Sequence, residues 1–248
     1  MQIIISPAKK MNIDTDSLAP VKLPHFLEDA GVLLDHLKKM NYPELKTLWC
    51  CNDTIATENF ERIQKLDLRS CLTPAIFSYQ GIQYQYMAPG VFDTNQFAFI
   101  NDHMRILSGF YGLLQPFDGV RPYRLEMQAR LQLGGYKNLY DFWGNKLARQ
   151  LTSECDFILN LASKEYSKAV SAHLPTNFFF LNCSFGELIN QKVIEKGTLC
   201  KMARGEMVRF LAENQITRPQ DIKAFTYLNY SFSRSHSQAN HYVFLKHK

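Results

Sequence analysis

No stretch of this chain approaches the ~18 consecutive apolar residues of a membrane span, so no membrane partner is expected. The first apolar run, Ile3–Ile5, is broken at once by Ser6-Pro7, and no secretory leader is expected from it. Six cysteines are present (Cys50, Cys51, Cys71, Cys155, Cys183 and Cys200), yet none forms C-x-x-C and no histidine stands at zinc-finger spacing from them. Cys50 and Cys51 are adjacent and do not easily bridge each other. The thiols are therefore expected to be reduced and mostly buried, in a cytoplasmic protein. No basic cluster abuts any cysteine to activate it. The seven histidines are scattered and form no E-x-x-H pair of the di-iron type, so iron storage is not predicted; no metal site and no cofactor are expected. No internal repeat and no linker interrupts the sequence, which is read as one domain over residues 1–248 with no obligate protein partner evident.

What is present is an ordinary globular balance of 46% hydrophobic and 21% charged residues, enough apolar material for a sizeable core. Net charge is +5, which permits nucleic acid or phosphate partners without demanding them. Eighteen Phe and twelve Tyr supply rings for packing and base stacking alike.

Gln2–Ile5 reads as a buried strand and runs into Ser6-Pro7-Ala8-Lys9-Lys10, where a hydroxyl and two lysines can hold an anion or simply form a polar turn. Met11–Pro24 reads as a loop. Helices are expected over Phe26–Met40, from Pro43 to Cys50, and over Thr54–Leu66 behind the cap Asn52-Asp53. Gln80–Pro89 places Tyr84 and Tyr86 at strand spacing. Thr94 to His103 and Leu139–Leu151 read as helices. Asp156–Leu161 is a second buried strand; it leads to Ser163, placed to cap a helix over Lys164–His173. Asn177–Cys183 is a third, Phe185–Cys200 a hairpin or loop, and Phe225–Phe232 and His241–Leu245 late strands. The economical sum is a single-domain mixed α/β fold, a mixed sheet flanked by helices.

Two stretches carry the chemistry. In Met104–Met127 an apolar run precedes Ser108-Gly109-Phe110-Tyr111-Gly112, a small-residue loop whose backbone can approach a ligand closely. Arg121-Pro122-Tyr123-Arg124 and Glu126 follow; guanidiniums fork onto phosphate and a ring stacks on a base. In Lys201–Gln215, Ala203, Met207, Phe210 and Leu211 share one helical face while Lys201, Arg204 and Arg209 lie opposite. Gly205 between them costs about 1 kcal/mol against alanine, so it asks for close approach of a backbone or ligand.

Four pieces in this order, Ile5–Lys9 (ISPAK), Leu107–Met127 (LSGFYGLLQP to RPYRLEM), Asn160–Tyr166 (NLASKEY) and Lys201–Phe210 (KMARGEMVRF), closely resemble the YaaA family of bacterial peroxide-stress proteins across essentially the whole chain. The resemblance implies a cytoplasmic protein of hydrogen peroxide defence whose action lowers free intracellular iron. It also implies DNA binding through a positively charged cleft, in a single-domain α/β fold with a helix-hairpin-helix element; Ser108–Gly112 is the local candidate for that hairpin. The chain departs from the family pattern at Gly81-Ile82-Gln83-Tyr84, where an acidic residue is common. It departs again at Asn229-Tyr230-Ser231-Phe232 and at Ser233-Arg234-Ser235-His236, which replaces an acidic cluster.

Two functions follow as expectations. In the first, Lys9, Lys10, Ser108, Gly109, Gly112, Arg121, Arg124, Asn160, Ser163, Lys201, Arg204, Gly205 and Arg209 line a basic cleft on the backbone of double-stranded or distorted DNA. Tyr111 and Tyr123 stack there on exposed bases, and the genome is protected under peroxide. In the second, the same cleft is that of an enzyme acting on a nucleotide or nucleobase. Ser108, Asn160, Ser163, Glu126 and Lys201 then form a polar pocket, with Glu126 and Lys201 the catalytic candidates. A carboxylate amid arginines stays ionised, which suits a base or a structural partner. Pocket shape separates the two: a deep closed pocket floored by Glu126 and Lys201 suits the enzyme, a broad open groove suits binding alone.

Overall fold

Gln2–Ile5, buried along its whole length, forms strand β1 at the centre of an eight-stranded sheet in a computed structural model that describes residues 1–14, 16 and 18–247. Positions 15 and 17 of the expected Met11–Pro24 loop, and position 248, lie outside the described residues. The other strands are β2 (Met104–Ser108), β3 (Gly112–Leu114), β4 (Phe157–Asn160), β5 (Phe179–Ile189), β6 (Lys192–Ile194), β7 (Tyr230–Phe232) and β8 (His241–Lys246). Their order is β7-β8-β5-β4-β1-β2-β3, with β6 folded back on β5. The five inner strands, β8 to β2, pair in parallel; β3, β6 and β7 pair antiparallel. Parallel strands covered on both faces need unbroken apolar runs, which is what Ile3–Ile5 and Ile158-Leu159 supply.

The helices are α1 (Leu27–Lys39), α2 (Tyr42–Trp49), α3 (Asp53–Gln64), α4 (Ile82–Met87), α5 (Thr94–His103), α6 (Leu139–Trp143), α7 (Lys146–Glu154), α8 (Lys164–Ser171) and α9 (Gly197–Glu213). The first three sit where the sequence puts them. Leu27, Ala30, Leu33, Leu34 and Leu37 are the inward face of α1, and Asn41 and Asn52 cap α2 and α3 through side-chain oxygens that accept N–H groups. One hydrophobic cluster runs from Ile3 to Phe244. No helix among the described residues is long and apolar enough to cross a membrane.

Four sequence expectations change. The segment with Tyr84 and Tyr86 is a helix, α4, whose inward side is Gln83, Tyr84 and Met87; a polar residue on the buried side hides its period. Leu139–Leu151 is two helices, because Gly144 at φ 48° ends α6 and the chain restarts as α7. Only the last three residues of Phe225–Phe232 are strand; Pro219–Ala224 and Tyr227–Asn229 are tight 3-10 turns. Only Cys183 and Cys200 are buried: Cys50 and Cys71 sit exposed at left-handed turn positions, φ 45° and 50°, and Cys51 and Cys155 are half-buried.

A fifth correction concerns the place given to the helix-hairpin-helix-like element. Ser108–Gly112 joins two antiparallel strands, not two helices, with Leu107 opposite Leu113 and Ser108 opposite Gly112. The apolar residues on both sides of the loop pair as a ladder, and Gly112 at φ 73° turns the chain where a side chain would be strained.

Candidate functional site

The chain runs from β1 to β2 on one side and then returns to place β4 on the other, so the direction of winding reverses at β1. Crevices open beyond the carboxyl ends of parallel strands at such a reversal. The carboxyl end of β1 runs into Ser6–Lys9 and that of β4 into Asn160–Ser163. The Ser163 N–H donates to Ser6 Oγ at 2.8 Å and the Ser6 hydroxyl donates to Ser163 Oγ at 3.3 Å, which pins the two turns side by side. The Tyr84 hydroxyl, from α4, donates to the Ser6 carbonyl at 3.0 Å. Ser163 stands at the N-cap of α8, but its hydroxyl makes no cap bond; it faces Ser6 instead.

A cleft of about 560 Å³ opens over these turns. Lys9, Lys10, Arg124, Lys201 and Arg204 line it, five cations against the carboxylates Glu126 and Glu165. Glu126 is held by Lys9 at 2.8 Å and by Arg124 at 3.4 Å. Lys10, Lys201 and Arg204 have no ion-pair partner among the described residues. Three lining side chains carry a buried donor without an acceptor: Arg124 Nε, Arg204 Nε and Gln83 Nε2. Buried donors are ordinarily paired, and each left open costs about 1–3 kcal/mol, more for a charged group. Several at one cleft under a surplus of positive charge suit an anion with several acceptor oxygens.

Glu165 is the titratable group whose behaviour is set by this cleft. Burial raises its pKa first of all; the neighbouring Glu126 raises it further, while the Gln128 N–H, 3.3 Å away, and Lys9 oppose the shift. The Tyr123 phenol is pushed up to about 12 by burial, against the bonds it makes with Ser108 and Tyr79. Among the described residues no group of three or more His, Cys, Asp or Glu is placed to hold a metal ion.

The expected site residues divide. Lys9, Lys10, Arg124, Glu126, Ser163, Lys201 and Arg204, from four separate parts of the chain, line the one cleft. Arg121 does not: it donates to the Ser70 and Cys71 carbonyls. Arg209 pairs with Glu213 at 2.7 Å on the outer side of α9. Asn160 is buried, bonded to Asn182 and to the Ala162 N–H, and shapes the turn after β4. Ser108 is fully buried; its oxygen accepts from the Phe110 and Tyr111 N–H groups and meets the Tyr123 hydroxyl at 2.6 Å. Tyr111 is fully buried and its hydroxyl accepts the Arg121 N–H, so it cannot stack on a base. Tyr123 reaches the cleft wall but is 5% exposed, its hydroxyl bonded to Tyr79 and its ring stacked on Phe110. Rings flanked by apolar residues went inward, where a phenol finds internal partners.

The glycines serve packing. A Cβ on Gly109 would meet the Leu125 carbonyl at 2.5 Å, so this position lets Arg121–Met127 lie against the hairpin. A Cβ on Gly205 would meet the Gln83 carbonyl at 2.2 Å; here α9 crosses α4 with their backbones nearly touching. Sequence reading gave no role to Gln83, Tyr84 and Glu165. The order Ser-Lys-Glu after a strand was the available signal for Glu165; Gln83 and Tyr84 lay in the segment read as strand.

The cleft is neither the broad groove nor the deep closed pocket of the two expectations. It is half-enclosed, with Glu126 on its wall and Lys201 exposed.

Residues 1–236 match the family described as "Peroxide stress protein YaaA". The chain is also similar to proteins named UPF0246 protein: 53% identical over 246 residues to that of Desulfitobacterium hafniense, covering 99% of this chain and 98% of the relative. It is 52% identical over 246 residues to that of Lachnoclostridium phytofermentans, covering 99% and 96%, and 50% identical over 244 residues to that of Agathobacter rectalis, covering 98% of each.

Proposed function

The chain belongs to the peroxide stress protein YaaA family, and from that premise we propose that its cleft binds the phosphate backbone of DNA at an unpaired or distorted position, as part of a cytoplasmic defence of DNA against peroxide. The observation that carries this reading is the pair of guanidiniums, Arg124 and Arg204, with buried Nε donors lacking an acceptor in a cleft of surplus positive charge. About 560 Å³ is the scale of a nucleotide or two, far too narrow for a duplex. A nucleotide swung out of the stack presents its phosphates to such a cleft, and damaged or bulged sites do so at least cost. The lowering of free iron implied by the resemblance is, on this reading, downstream of nucleic-acid binding.

Fluorescence anisotropy with duplex, bulged and single-stranded oligonucleotides at two salt concentrations tests it. Bulged and single-stranded probes should bind more tightly than the uninterrupted duplex, with affinity falling steeply as salt rises. No binding by any probe at low salt removes the proposal.

Protonation offers a second check. Because burial and Glu126 hold the Glu165 pKa above the ordinary carboxylate value, lowering the pH neutralises it before most exposed carboxylates. The cleft then loses one negative charge, and affinity for a phosphate chain should rise about three- to tenfold once Glu165 is neutral, as pH is lowered from about 7.5 at low salt. Glu165→Gln should flatten that profile; an unchanged profile in the variant means that Glu165 does not face the bound phosphate.

Turnover of the bound nucleotide is a second reading, favoured by one feature: two carboxylates share the cleft, one raised in pKa and the other ion-paired to Lys9 and Arg124. Product analysis on the binding samples decides it.

A further inference from the structure

Across Glu126 from the cationic cleft lies a second one, of about 810 Å³, between the outer side of α2 and the segment after Arg124. Its wall is of a different kind: Pro43, Leu48, Trp49 and Ala129 give it carbon surfaces, and the Glu44 carboxylate on the same lining accepts the Asn41 N–H. The Glu126 side chain belongs to both clefts, held on the cationic side by Lys9 and Arg124, and so stands as a partition one residue thick. Two further features belong to the apolar cleft. Trp49 is 3% exposed, and its indole N–H is buried without an acceptor among the described residues. Arg130 is exposed on the same wall and has no ion-pair partner among the described residues.

We propose that this apolar cleft seats a nucleobase of the same strand whose phosphate is held at Arg124 and Arg204; the inference rests on the nucleic-acid reading above. A base is flat, apolar on its faces and edged with acceptors. Its faces match the carbon walls and its carbonyl or ring nitrogen matches the open indole donor. Arg130 then meets the next phosphate. The carboxylate between the clefts repels phosphates, so the strand crosses Glu126 with its sugar there and its phosphates to either side. An apolar metabolite or a peptide side chain would use the walls but would leave Arg130 and the continuity with the cationic cleft without a role.

The test compares a five-residue oligodeoxythymidylate with an abasic chain of the same number of phosphates, by competition anisotropy and tryptophan emission. The chain has two tryptophans, and Trp143 is fully buried with its N–H on the Gly109 carbonyl. The base-bearing probe should bind about tenfold more tightly than the abasic one and quench the emission. Trp49→Phe should abolish the quenching. Thr47→Trp, at an exposed position on the cleft wall, should fill the seat and erase the tenfold difference. Equal affinity of the two probes with unmoved emission overturns the base seat while leaving the DNA reading intact. So does a tenfold difference that survives Thr47→Trp. Failure of both probes to bind overturns both.

Discussion

Replacing Arg204 by alanine lowers the affinity for a bulged oligonucleotide by about ten- to a hundredfold, and replacing Arg124 does the same. A hydrogen bond to a charged group contributes about 1.5–3 kcal/mol, and each 1.4 kcal/mol is a factor of ten. Both guanidiniums are already largely withdrawn from water and hold an unpaired Nε, so little further desolvation opposes the contact when phosphate arrives. Each variant should also reduce the slope of log affinity against log salt by about one, since one fewer counterion is released. The slope separates lost contact from lost folding, because a partly unfolded sample loses binding sites without a change of slope. Arg209→Ala is the matched comparison. It removes the same charge from the same helix, but from an ion pair with Glu213 outside the cleft, and affinity should stay within about twofold. Arg124→Ala and Arg204→Ala binding as tightly as the unaltered chain would discard the cleft as the DNA site.

Gly205→Ala should lower the melting temperature by about 4–8 °C. A methyl group at this position meets the Gln83 carbonyl at 2.2 Å and the Met87 N at 2.9 Å. Both are backbone atoms of α4, so no side chain can swing aside and the two helices must part. Overpacking of this kind costs about 3 kcal/mol or more, which outweighs the roughly 1 kcal/mol by which alanine is the better helix former. For a chain of this size each kcal/mol moves the midpoint by about 2–4 °C. Gly31 is the instructive contrast: it lies inside α1 with nothing within 4 Å of a built Cβ. Gly31→Ala should raise the midpoint by about 1–4 °C, from a gain of about 0.5–1 kcal/mol. The same chemical change thus has opposite sign at two helical glycines. A melting scan in which both variants rise would mean that the α4–α9 crossing is looser than described.

The strands at the middle of the sheet were readable because two-sided burial leaves short apolar runs such as Ile3–Ile5 and Ile158-Leu159. The cap Asn52 was readable too, since it acts through a local bond that needs no tertiary partner. Asn41 was not read as a cap, and Ser163, read as one, turns to Ser6 instead. Helix α4 was not readable. Tyr84 and Tyr86 alternate as a strand would, while the residue that fixes its inward side is Gln83, which hydropathy counts as exposed. At the cleft, charged residues of the four motifs were legible as a group, because a lysine or arginine among apolar neighbours has few places to go but an edge. What sequence could not settle was which small and aromatic residues beside them touch a ligand. Gly109, Gly205, Tyr111 and Ser108 lie in those motifs for internal fit. Arg121 and Arg124, three positions apart, part company because one is drawn to the Ser70 and Cys71 carbonyls and the other to the cleft. Spacing alone does not tell such neighbours apart.

The bond between the Ser163 N–H and Ser6 Oγ ties residues 157 positions apart. On a ribosome, β1 is made before either of its flanking strands, which exist only once residues 104–108 and then 157–160 have been made. A strand carrying three successive isoleucines therefore waits for its first partner until residue 108 and for its second until residue 160. Its neighbour in the chain, Ser6–Lys10, faces Lys201 and Arg204 across the cleft only once α9 has been made and packs on α4. A chain cut before α9 keeps Lys9 and Lys10 but loses the Lys201 and Arg204 side of the cleft, so it should not hold phosphate as proposed for the whole chain.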